Sequence, residues 1–182
     1  FPVRSFLTVH GIRMTVAGEK VSQVEFDYNY NMVKNAYIAQ YGAYMSMFGL
    51  DLTGDLSKLS YSDTQTWQEY FEEMAVERIL QNKVLRKEAQ KTGFSYDAAQ
   101  DYAQYEEGLK DAAAQAGTNL KSYVQQLYGP YATMSRLKEY VKEAMMTNAF
   151  YESVSEEKEP SEVDIQAYYE EHADDYDSVD YH

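Results

Sequence analysis

Three histidines, His10, His172 and His182, are the first residues to test for chemistry, because imidazole serves both as a general base and as a metal ligand near neutral pH. No two of them stand one helical turn apart, and none forms a base–nucleophile pair with a neighbouring Ser or Asp. Glu170-Glu171-His172 has a zinc-like look but lacks a second His at helical spacing, so it reads as an exposed helical face. Asp174-Asp175-Tyr176-Asp177 could gather a cation, yet it has neither the Gly nor the spaced bidentate Glu of a calcium loop, and reads as a solvated acidic end. No Gly-rich phosphate loop and no nucleophile elbow occurs. The sequence therefore predicts no catalytic residues, no metal site and no cofactor.

What remains is apolar surface chemistry. The chain has nineteen Tyr against seven Phe and one Trp, with eight Met. Tyr covers apolar surface while keeping a polar tip, and Met is flexible enough to adapt to varied apolar partners. Two clusters stand out. Tyr41, Tyr44, Met45, Met47 and Phe48 gather at the end of one predicted helix, and Tyr128, Tyr131 and Met134 flank Gly129-Pro130. Such groups suit a shallow crevice for unfolded polypeptide. The same spacing also suits an ordinary helix-packing core.

Helices must position these side chains. Apolar alternation at Met14, Val16 and Val21 around Gly18 predicts a β-hairpin. Ser22 with Glu25 three residues on is a capping-box signal for a helix from Ser22 to about Leu50. Its stripe runs through Phe26, Tyr30, Val33, Tyr37, Tyr41, Tyr44, Met45 and Phe48. A second helix is expected from Ser62, with Gln65 at the box position, to Thr92. Its stripe is Trp67, Tyr70, Phe71, Met74, Ile79, Leu80 and Val84, with Gly93 as the stop. Further helices are expected at 95–116 capped by Ser95, at about 119–128 capped by Thr118 or Asn119, and at 131–155. A linker, Glu156 to Pro160, then leads to a short helix capped by Ser161. The fold class is all-α, a multi-helix domain with a small N-terminal β-hairpin. Residues 1–155 form the helical domain, and 156–182 an acidic linker helix with the start of something further.

Charge narrows the partners. The net charge is −14, of which residues 152–182 carry −11 and residues 1–151 only −3. Phosphate binding needs a basic face, so nucleic acid is excluded as a partner, and so is an anionic lipid surface. No apolar run approaches the ~20 residues of a membrane span, so direct membrane insertion is not expected. The absence of Cys excludes disulfides, thiol catalysis and thiolate metal sites. It is compatible with an oxidising compartment.

Two segments carry a family resemblance. Val16-Ala17-Gly18-Glu19-Lys20-Val21-Ser22-Gln23-Val24-Glu25-Phe26 resembles the opening of the SurA/PrsA-type chaperone domain, a Val-x-Gly-x-x-Val/Ile-Ser/Thr-x-x-Glu/Asp-Phe pattern. Pro160 to Glu171 resembles the short helix that precedes a parvulin prolyl isomerase domain. Ser178-Val179-Asp180-Tyr181-His182 resembles that domain's first strand, whose opening His lies in the isomerase site. The resemblance implies an ATP-independent chaperone module of an extracytoplasmic foldase, secreted or anchored through an upstream segment. Its partners would be unfolded or secreted polypeptides. It also implies a chain cut at the start of a parvulin domain, which would leave this portion without isomerase activity. In the family the helical domain is completed by a returning segment. The resemblance thus implies that a homodimer, or exchange of an element such as residues 161–177, fills the uncovered groove. Two alternatives stand beside this reading: a fragment of a prolyl isomerase whose catalytic half lies downstream, and a helical adaptor for one folded partner.

Overall fold

The structure, a computed structural model, describes residues 12–156. Strands β1 (Ile12–Val16) and β2 (Glu19–Ser22) form an antiparallel hairpin. Both turn residues take positive φ, Ala17 at 51° and Gly18 at 80°. This is the geometry whose twist matches paired strands. Five helices follow among the described residues: α1 (Gln23–Met47), α2 (Trp67–Thr92), α3 (Ala99–Gln115), α4 (Leu120–Tyr128) and α5 (Met134–Glu156). The predicted class, helical with a small N-terminal hairpin, is the class observed. The acidic linker, the helix expected after Ser161 and all three histidines lie outside the described residues.

Helix ends follow local chemistry, with three departures from the sequence expectation. At α1, Ser22 Oγ accepts from the Glu25 N–H at 3.1 Å, as a cap should. The Glu25 carboxylate does not close the box: it turns inward and accepts from Lys83 Nζ at 3.0 Å. At α2 the box forms one turn later than expected, between Thr66 and Glu69. The Ser62 and Tyr61 N–H groups are spent on the Gln65 carbonyl in a tight loop, closed by a Ser60–Thr66 bridge. At α3 the first bare N–H goes to Asp97, not to Ser95. Gly93 ends α2 in the left-handed region (φ 73°), and Asn119 caps α4, both as expected.

Three apolar clusters hold the elements together. The largest joins Val24 and Tyr28 of α1 to Tyr102 and Leu109 of α3, Val124 and Tyr128 of α4, and Leu137 and Val141 of α5. A second sets the hairpin (Val16, Val21) on Phe26, Ala75 and Ile79. In the third, Leu52 and Leu56 of the 48–66 loop tuck against Trp67 and Phe71. Asp51 and Asp55 shape that loop, each accepting from the backbone two residues on, at Thr53 and Ser57.

A charge network fastens the hairpin to the helices. Lys83 of α2 is buried, and its ammonium lies 3.0 Å from Glu25 and 3.6 Å from Glu19. Arg86 bridges Glu19 and Glu143, the latter at 2.8 Å, and Lys87 adds a contact to Glu19 at 3.4 Å. The hydrogen bond from Arg86, with the charges of Arg86 and Lys83, outweighs desolvation and holds the Glu19 carboxyl below its ordinary value.

Candidate apolar binding surface

α1 is clothed along only part of its length. Its fully buried residues are Val24, Glu25, Phe26, Tyr28 and Asn29, all within two turns of the hairpin. Asn35 still reaches α4, donating to the Leu127 carbonyl at 3.2 Å. Further along, among the described residues, the start of α2 and the 48–66 loop pack on the helix.

Tyr37 anchors this second half. Its ring lies 5.4 Å from both Trp67 and Phe71 and 4.9 Å from Tyr41. Burial among these rings pushes its hydroxyl pKa up. Met45 packs half-buried on the same cluster. The remaining side chains emerge into solvent: Tyr41 is 40% exposed, Tyr44 58%, Met47 82% and Phe48 71%. Tyr44 and Phe48 meet edge to face at 4.9 Å. The helix ends at Met47 and is capped by Phe48, whose N–H bonds back to the Met45 carbonyl.

The second predicted cluster has a different fate. Tyr128 is 8% exposed and belongs to the largest core, its ring 5.3 Å from Tyr28. Its hydroxyl accepts from Tyr105 at 2.9 Å, and burial followed by that hydrogen bond pushes the Tyr105 pKa strongly up. Tyr131 and Met134 pack half-buried against the same core. The backbone at Gly129 has φ 104°, and a Cβ there would meet Asp27 Cβ at 3.3 Å, so the joint is pressed onto α1. The structure thus brings Tyr41, Tyr44, Met47 and Phe48 together at the surface and places Tyr128, Tyr131 and Met134 inside the helix packing.

A further apolar surface had no separate signal in the sequence. Leu80 and Val84 were expected on the packed stripe of α2, but both are exposed. With Leu85 and Tyr151 they line a groove of about 650 Å³ between α2 and α5. The helical period locates a stripe but not its width, and these positions fall on its outer edge.

Among the described residues no group of three or more His, Cys, Asp or Glu could hold a metal ion, and no helix is long and apolar enough to cross a membrane. The end of α1 offers apolar and aromatic contact with two phenolic hydroxyls. Such a surface can bind, and its chemistry is that of association. Compared with protein-family models, curated proteins and solved structures, the chain matches none.

Proposed function

We propose that this chain is an ATP-independent chaperone module that binds non-native polypeptide through the exposed end of α1. The observation that carries this reading is the cluster of Tyr41, Tyr44, Met47 and Phe48, large apolar side chains side by side in water, while the other aromatics among the described residues are mostly packed. Returning one such side chain to apolar contact contributes about 1.5–3 kcal/mol. Met and Tyr favour loosely specified apolar partners over one shape. The family-like segments Val16–Phe26 and Pro160–Glu171 support the same reading and, with it, an extracytoplasmic setting and secreted or unfolded chains as partners. The net charge of −14 keeps such a surface soluble.

The test is light scattering from a chemically unfolded protein diluted into buffer, with the chain at equal and excess molar ratios and no nucleotide. Dose-dependent suppression is the expected result. A folded chain that leaves the aggregation curve unchanged overturns the reading.

A further inference from the structure

We infer that the groove between the hairpin and the first half of α2 binds the basic residues of a client segment, so that the clients taken are apolar chains carrying Lys or Arg. This rests on the chaperone reading and adds the class of chain selected.

The groove has a volume of about 460 Å³. Met14, Phe26 and Val76 form its apolar floor, and carboxylates of α2 form its rim. Glu69, Glu73 and Glu77 stand at i, i+4 and i+8, one ridge of a helix. Glu69 is explained by its own helix: it closes the capping box with Thr66 and lies in the first turn, where the dipole favours an anion. Glu73 and Glu77 lie beyond that turn. Among the described residues neither makes a hydrogen bond or an ion pair, so each adjacent pair on the ridge is a like-charge repulsion. A cation seated between them removes that repulsion.

The protein's own Arg13 displays the chemistry. Its guanidinium carbon lies 3.6 Å from the centre of the Phe26 ring, and Nη2 lies 3.9 Å from Glu72. A cation over an aromatic face, flanked by a carboxylate, is what the groove already holds at one end. Arg13 also donates to Gln23 and leaves Glu73 and Glu77 unmatched. Charge complementarity therefore points to a basic–apolar segment. The acidic residues 152–182 of a second copy, at −11, do not match such a rim.

The experiment uses two fluorescently labelled unstructured peptides of one apolar sequence, one with two Arg and the other with Glu in their place. Anisotropy titrations are run on the full chain, on Glu73→Gln/Glu77→Gln, and on Glu139→Gln/Glu152→Gln, which removes equal charge elsewhere. The Arg peptide is expected to bind about fivefold tighter than the Glu peptide, as two exposed ion pairs allow. The preference is expected to collapse in Glu73→Gln/Glu77→Gln, to persist in the control variant and to fade at high salt. Equal affinity for both peptides overturns the inference and leaves the chaperone reading standing. A preference that survives in Glu73→Gln/Glu77→Gln also overturns it, by assigning selectivity to net charge. Binding of neither peptide overturns both.

Discussion

The two ends of α1 carry the same kind of residue at the same spacing and meet opposite surroundings. Near the hairpin, Val24, Phe26 and Tyr28 are enclosed by β2, α2, α4 and α5, and the charges of Glu25 and Lys83 are sealed in with them. Five turns later, Tyr44 and Phe48 have each other and water. One periodic stripe is thus enclosed at its start and exposed at its end. The difference is made by what packs on the helix: the largest core encloses its start, while Tyr44, Met47 and Phe48 at its end are exposed. Buried and bare ends of one element should therefore respond to mutation in opposite ways, in stability at one and in binding at the other.

The largest effect is expected from breaking the sealed end. Lys83→Ala leaves the buried Glu25 carboxylate without its partner and should cost about 3–5 kcal/mol in denaturant unfolding. The paired Lys83→Met/Glu25→Leu should recover most of that loss, because the desolvation of both charges goes with them.

Acid sharpens the same contrast. The Arg86 hydrogen bond holds Glu19 below its ordinary value of 4.5, so folding favours the ionised carboxylate. Its contribution is complete above pH 4.5 and is lost as pH falls through the depressed value in the folded state. The difference in Tm between the parent and Glu19→Gln should accordingly be constant above that pH and shrink below it.

A smaller gain is expected at the turn. Ala17 sits at φ 51°, where an L side chain with a Cβ is strained and Asn is tolerated. Ala17→Asn should raise stability by about 0.5–1 kcal/mol, read as a higher denaturation midpoint with an unchanged slope.

At the bare end the stability effect should be the smallest. Tyr44→Ser/Phe48→Ser should move unfolding by less than about 0.5 kcal/mol while weakening suppression of client aggregation.

How much of this was legible in the sequence depends on how local each signal is. The hairpin around Gly18, the Ser22 and Asn119 caps and the Gly93 stop are decided by residues within a turn of each other, and these could be read directly. The cap expected at Ser62 falls instead to Thr66, since the loop before it closes on Gln65 while Leu52 and Leu56 bury beneath it. Glu25 carried a correct box signal that was outbid by a lysine fifty-eight positions away. The Tyr/Met clusters were visible as composition. Whether each faced inward depended on coverage by distant helices, which spacing does not encode. The acidic ridge of Glu69, Glu73 and Glu77 was present as a spacing, but the apolar floor beneath it comes from three separate elements.

The central claim, that the bare end of α1 is where client chains rest, is tested most directly by a photo-crosslinking residue placed at Phe48 and, separately, at Tyr151. Both positions are well exposed, and they lie on different elements. With an unfolded client present, covalent adducts should form from position 48 and be scarce from position 151. Equal labelling from both, or labelling from 151 alone, would contradict the account.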